Sequence, residues 1–210
     1  MTEASIQALS LVRNPENMKW YVVPLIVIAI YMYIVEAENK NWSAILLGLG
    51  FWAGEFIWEM FNALVLHFSG FAAMWSTPGG DSAYVIYAGL NIEIAFFFSV
   101  VGLMIVKALP EDKNLTIFGL SNRFVIPAGF GLLAVFVEVC LNQCGLLVWD
   151  YWWWRWPNIW LIIVVYCTPF YLIARLHDAW SLKTKKIGLA VTVCLAVVCH
   201  AVFATALGWV

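Results

Sequence analysis

Charge is what this chain has least of. Only 11% of its 210 residues are charged, against 64% hydrophobic. A soluble globular domain carries about 25% charged and roughly 45–50% apolar residues. A chain so poor in charge cannot cover its own surface in water. That excludes a soluble enzyme, a disordered chain, a collagen-like fibre and a small disulfide scaffold. A basic face is missing too. The net charge is -2, so little is available to neutralise phosphates and nucleic acid is not a partner. Cysteine pairing is also lacking. Cys140, Cys144, Cys167, Cys194 and Cys199 are odd in number and all lie in apolar runs. They imply neither a disulfide framework nor a zinc site, and read as small packing residues. No Glu-x-x-His motif occurs, as a ferritin-like di-iron bundle would show. No metal or cofactor is assigned. Met1–Asn17 is polar and has no apolar run leading to a small-residue cleavage site, so no signal peptide is expected.

Long apolar runs are abundant. A spanning helix needs about 20 mostly apolar residues. Six segments meet that need: Met18–Val35, Trp42–Phe68, Ala83–Val106, Phe124–Gly145, Asn158–Leu176 and Ile187–Val210. Leu146–Trp156 is too short to span. The runs are continuous rather than alternating with period two, so strands are not expected. The predicted architecture is all-α: a polytopic membrane bundle of about six transmembrane helices in a single domain over residues 1–210. Ahead of it, Ile6, Leu9 and Leu11–Val12 make either a short surface helix or a frayed tail.

Lys and Arg set the orientation. Lys40, Lys107, Lys113, Arg123, Arg175, Lys183, Lys185 and Lys186 flank the first, third and fifth connections, whereas Arg13, Lys19 and Arg155 fall on the other side. Both termini are therefore predicted outside, with the second and fourth connections. The sequons at Asn41-Trp42-Ser43 and Asn114-Leu115-Thr116 fall on the inner side and carry no weight. A bacterial inner (plasma) membrane is the expected location. The second connection, Ser69–Ser82, holds Trp75 and the turn signal Pro78-Gly79-Gly80-Asp81. The fourth, Gln143–Pro157, holds Trp149, Trp152, Trp153, Trp154 and Trp156. These indoles either sit at the bilayer interface or roof a pocket. Lys183-Thr184-Lys185-Lys186 reads as a topology determinant that touches anionic headgroups.

Intramembrane acids are the informative residues. Burying an Asp at mid-helix costs roughly 2.5–3.5 kcal/mol on insertion scales. Glu55, Glu59, Glu93 and Glu138 all fall inside predicted spans, with no Lys or Arg at similar depth. Such groups must be protonated, hydrogen-bonded, wetted or bound to a cation. Counted from the span ends, Glu55 and Glu59 lie roughly 20 and 25 Å up the second span and Glu93 roughly 15 Å down the third. Glu138 lies roughly 21 Å up the fourth and His200 roughly 20 Å up the sixth. All five share the outer half. Glu55, Glu59 and Asn62 stand at i, i+4 and i+7 on one helix face, and Glu138 and Asn142 form an i, i+4 pair. Asn91 and Glu93 bracket a turn of the third helix. Asn suits such a cluster because it both donates and accepts.

Each of these residues has a bland reading. Buried Glu and Asn can simply glue helices together. His200 can be a satisfied core histidine, and His67 can sit at the interface. Asp150 belongs either to the outer surface or to a pocket. His177-Asp178 reads as a solvated turn.

The sharper reading is acid–base chemistry on an apolar substrate. A neutral carboxylic acid is a general acid, a second carboxylate orients it or takes a proton back, and aromatic faces stabilise cations. Phe51, Trp52, Phe56, Trp58 and Phe61 interleave with acids on the second span, and Phe96–Phe98 lie on the third. Ile57-Trp58-Glu59-Met60-Phe61-Asn62-Ala63-Leu64 resembles the Trp-Glu helix of the small membrane-integral terpene cyclases of meroterpenoid and indole-diterpene pathways. Ala88-Gly89-Leu90-Asn91-Ile92 and the late Glu138 followed by Trp-rich sequence are similar to that family as well, over residues 45–155. The resemblance implies proton-initiated cyclisation of an isoprenoid, with Glu59 as proton donor. The family has seven spans and an Asp in its last helix, where this chain has six and His200. The expected catalytic set is Glu59, Glu93 and Glu138. Glu55, Asn62, Asn91, Asn142, Trp58, Asp150 and His200 are expected to contact a membrane lipid or other apolar small-molecule substrate. Three other classes use the same residues: a proton- or cation-coupled transporter or channel, a metal-dependent enzyme, and an accessory subunit. A homo-oligomer or a membrane partner subunit is compatible with each.

Overall fold

The computed structural model describes residues 1–79 and 84–210. Among the described residues there are seven α-helices: α1 Glu3–Leu11, α2 Val22–Glu38, α3 Trp42–Ser69, α4 Ile92–Ala108, α5 Asn122–Gln143, α6 Trp160–Ala179 and α7 Leu182–Cys199. A π-helical stretch, His200–Ala206, prolongs α7. Side-chain caps set several starts. The Asn41, Asn91, Ser121 and Ser181 side chains accept from backbone N–H groups in the first turns of α3, α4, α5 and α7. Gly70, at a φ of 59°, ends α3. The tail of either-or reading is helical, since Thr2 caps α1.

Helices α2 to α7 answer to the six apolar segments. By length and composition α3, α5, α6 and α7 with its extension can each cross a membrane. Helices α2 and α4 are shorter, at 17 residues each. The third segment departs from its predicted bounds. Its first half is not helical: β1, Val85–Tyr87, pairs antiparallel with β2, Leu90–Asn91, before α4 begins. Asn91 is the reason, because its side chain caps α4 at Ile94 N. A second short pair, β3 Thr116–Ile117 with β4 Leu120–Ser121, sits between α4 and α5. Strands thus occur where none was expected, confined to the connections. Gly80, Asp81, Ser82 and Ala83, including the end of the predicted turn and the start of the third segment, lie outside the described residues.

Helix α3 is the hub, packed against α2, α4, α6 and α7, while α5 packs on α6. Small residues allow the closest approach. A Cβ on Gly102 of α4 would lie 3.0 Å from the Gly48 carbonyl of α3. The main core fills the space between α3, α4, α5 and α6 with Phe51, Phe98, Val135 and Phe170, and is continuous with Trp75, Trp149 and Trp154 of the connections.

The two ends differ in chemistry. At one, Thr2 N donates to Phe71 O, the Thr2 hydroxyl to Asp150 (2.8 Å), and Arg13 to the Val210 carbonyl (2.7 Å). Ser76 and Val148 exchange backbone bonds there. Both termini and the second and fourth connections therefore share this end. The opposite end holds the ion pairs. Lys107 meets Glu36, and Asp178 receives both Arg123 (2.8 Å) and Lys113 (3.4 Å). His177-Asp178 is not a solvated turn, because it belongs to the last turn of α6.

Candidate intramembrane carboxyl site

Glu59 is 2% exposed. Its Oε1 accepts from the Trp75 indole N–H at 2.9 Å, and its Oε2 from Asn62 Nδ2 at 3.5 Å. Asn62 is fully buried and does more. Its Nδ2 donates to the Trp75 carbonyl (2.8 Å), while its Oδ1 accepts from Met74 N (2.7 Å) and Trp75 N (3.4 Å). Three residues on α3 and the 70–79 connection thus form a closed clasp. Gly89 lies against it. A Cβ there would come within 2.3 Å of Asn62 Nδ2 and 2.8 Å of Glu59 Oε2, so only glycine fits. Trp75 is sandwiched between Trp58 (6.1 Å) and Trp154 (5.5 Å), both stacked on it.

Glu55, one turn before Glu59, faces different surroundings. It lines a groove of about 500 Å³ between α3, α6 and α7. No hydrogen bond to its carboxyl is formed among the described residues. Trp58 lines the groove beside it. Val164 and Leu172, 60% and 54% exposed, line it from α6, so the groove opens on the lateral face of the bundle.

Glu138 on α5 is buried and accepts from the Tyr166 hydroxyl of α6 through Oε1. Its Oε2 is buried without a hydrogen-bond partner among the described residues. Glu138 and Tyr166 line a second apolar cavity, of about 420 Å³, together with Glu93 and Phe97. Glu55, Glu59, Glu138 and Tyr166 lie close enough that each acts electrostatically on others of the set. Three of the four intramembrane acids therefore converge, from α3 and α5, on one interior region. Tyr166 joins them unannounced, because a lone Tyr in an apolar segment carries no spacing signal.

The remaining candidates disperse. Glu93 is not 15 Å inside a helix. It stands in the first turn of α4, where it accepts from the Tyr21 hydroxyl. Asn91 caps that helix. His200 meets the Tyr87 hydroxyl at 2.7 Å beside a third cavity, of about 540 Å³, between α3 and α7. Asp150 ties down Thr2, and Asn142 donates to the Leu147 carbonyl at the end of α5. His67 stacks on Trp209. All five cysteines are free. Among the described residues no group of three or more His, Cys, Asp or Glu side chains could hold a metal ion.

Apolar helices of spanning length, exposed Val, Leu and Phe along them, and the burial of Glu59 and Glu138 within them define a helical integral membrane protein. The chain belongs to an uncharacterized membrane protein family, whose model matches residues 2–205. It is 41% identical over 173 residues to an uncharacterized protein of the archaeon Archaeoglobus fulgidus, covering 82% of each chain. No solved structure matches. The relative's source is archaeal, so the expected bacterial inner membrane reduces to an integral membrane location.

Proposed function

We propose that the chain is a membrane-embedded enzyme that performs acid–base chemistry on an apolar lipid or isoprenoid substrate. In this reading six helices, α2 to α7, cross the bilayer, and the end that holds both termini faces outward by the Lys and Arg distribution. The observation that carries the proposal is the Glu55 carboxyl. It opens on a lateral apolar groove with no hydrogen-bond partner among the described residues, backed by Glu59, Glu138 and Tyr166. A carboxyl that serves only to join helices would be satisfied by a neighbour, as Glu59 is.

Glu55 then acts as the general acid. Its O–H bond breaks as a C–H bond forms at a substrate double bond. The resulting cation is held by aromatic faces such as Trp58 until another C–H bond breaks and a carboxylate recovers the proton. Proton count is unchanged, so the net reaction is an isomerisation or cyclisation and needs no oxidant. Proton-initiated cyclisation, implied by the terpene-cyclase resemblance, is one such reaction. Glu59 acts from behind, through its hold on Trp75. Glu138 with Tyr166 tunes the same region or accepts the final proton.

The test uses purified protein in lipid nanodiscs in deuterated water, supplied with farnesyl and geranylgeranyl alcohols and their phosphates. Mass spectrometry of the extracted products reads deuterium incorporation at carbon. The wild type is expected to incorporate it, and Glu55→Gln to lose on the order of 10²–10⁴-fold of that rate. Equal incorporation by both proteins would remove Glu55 from the chemistry.

A further inference from the structure

Lys185 differs from the other lysines of its cluster. Lys183 and Lys186 are exposed, but Lys185 is 5% exposed and lines the same groove as Glu55. An ammonium has three donors. Two are used, to Ser43 Oγ (2.7 Å) and the His177 carbonyl (2.9 Å). Among the described residues no carboxylate lies within ion-pair distance of it. The acid near enough to act on it, Asp178, is already held by Arg123 and Lys113. Three cations thus gather around one carboxylate, Asp178, and of the three Lys185 is the one that lines the groove. A buried charge without a counter-ion is costly, and an anion from outside the chain would remove that cost.

The rest of the groove says what the anion is attached to. From Ser43, which holds Lys185, to Glu55 is twelve residues of α3, or about 18 Å. Between these ends the lining is almost wholly apolar, as at Leu47, Phe51, Leu172 and Leu189. The channel is kept clear by what is missing. A Cβ on Gly50 or on Gly54 would meet nothing within 4 Å, so both positions face open space. A volume of about 500 Å³ drawn out over that length suits one slender chain rather than a two-tailed lipid.

We infer that the groove between α3, α6 and α7 binds a single-chain amphiphile with an anionic head, the head against Lys185 and the chain running to Glu55. The inference deepens the proposed enzymatic reading and rests on it for the fate of the chain. Binding itself needs no turnover. The head is a carboxylate or a phosphate monoester, since both offer anionic oxygens to an ammonium. The distance along α3 acts as a ruler. Only a chain long enough to reach from Ser43 to Glu55 presents carbon to the acid.

The test is ligand titration of the full-length protein in detergent, read by Trp fluorescence and thermal shift, since Trp58 and Trp180 line the groove. The probes are palmitate, palmityl alcohol, hexanoate, farnesyl phosphate and inorganic phosphate. Palmitate or farnesyl phosphate is expected to bind at least tenfold tighter than palmityl alcohol or hexanoate. The tighter of the two identifies the head. Lys185→Gln should erase the preference for the anion while leaving the alcohol's affinity in place, and Lys185→Arg should restore it. Gly50→Leu should abolish binding of every chain without lowering the unfolding temperature. If Lys185→Gln does not fold, the arginine and leucine variants still decide. Equal affinity for acid and alcohol in the wild type would overturn the inference, as would inorganic phosphate competing as well as the amphiphiles. Glu55→Gln separates the two readings: retained binding with lost deuterium incorporation supports both. Binding by a wild type that incorporates no deuterium leaves the groove assignment standing and sinks the enzyme.

Discussion

Glu55 and Glu59 are the same residue type, one turn apart on one helix, and their surroundings are opposite. Glu59 sits in a closed clasp where each carboxyl oxygen has a donor. Glu55 opens on a groove and has no hydrogen bond among the described residues. Neighbouring glycines make the difference in both cases, in opposite ways. Gly89 lets a backbone press onto Glu59 and Asn62, whereas Gly50 and Gly54 leave the space beside Glu55 unfilled. Membrane burial of an acid therefore does not assign it a role. The role follows from whether the packing around it closes.

The contrast can be broken by mutation, and the clasp should respond most. Asn62→Ala removes the acceptor for two backbone N–H groups and leaves them buried, so a loss of about 3 kcal/mol is expected. Thermal unfolding in detergent would show it, and an unchanged transition would mean that the 70–79 connection holds without the clasp. Gly89→Ala drives a methyl into the same atoms and is expected to cost about 2 kcal/mol by overpacking. Chemical denaturation measures this, and tolerance of alanine would show that the connection can move away. Tyr166→Phe leaves Glu138 Oε1 without its donor, for an expected loss of about 1–2 kcal/mol. Here an increase in stability would place a water, rather than the hydroxyl, as the usual partner. Glu55→Gln should be smallest in stability, within about 0.5 kcal/mol, because no bond is broken. It should also be the variant with the largest loss of deuterium incorporation. A drop in stability as large as that of Asn62→Ala would make Glu55 a structural residue and erase the contrast.

The sequence made the apolar helices and the nearness of the acids on α3 and α5 legible, because apolar run length and helical spacing are local properties. The placing of Glu59 and Asn62 on one face follows from their spacing alone. Asn91 was misplaced with its helix, because an apolar count does not register a cap. The Asn at the head of the Ile92 run was the available signal. The part played by Tyr166 and the inward turn of Lys185, which the sequence places in a topology-setting cluster, could not be read from spacing. Tyr166 matters through Glu138 on another helix, and Lys185 turns inward because Ser43 and His177, distant in sequence, receive it. Residue spacing reports which side chains share a face, not which faces meet.

Of the three walls of the groove, α7 comes last in the chain, and its most apolar stretch has no residue buried within the molecule. The groove therefore has no existence during synthesis until α7 arrives. Up to that moment α3 and α6 offer Glu55 to the surrounding lipid as an open trough, and Ser43 waits without its lysine. Docking of α7 then adds the third wall and brings Lys185 to Ser43, while the lateral opening at Val164 and Leu172 leaves the trough in exchange with the bilayer. What occupies the groove would therefore follow the lipid around the finished protein, and exchanging the membrane should exchange the bound chain.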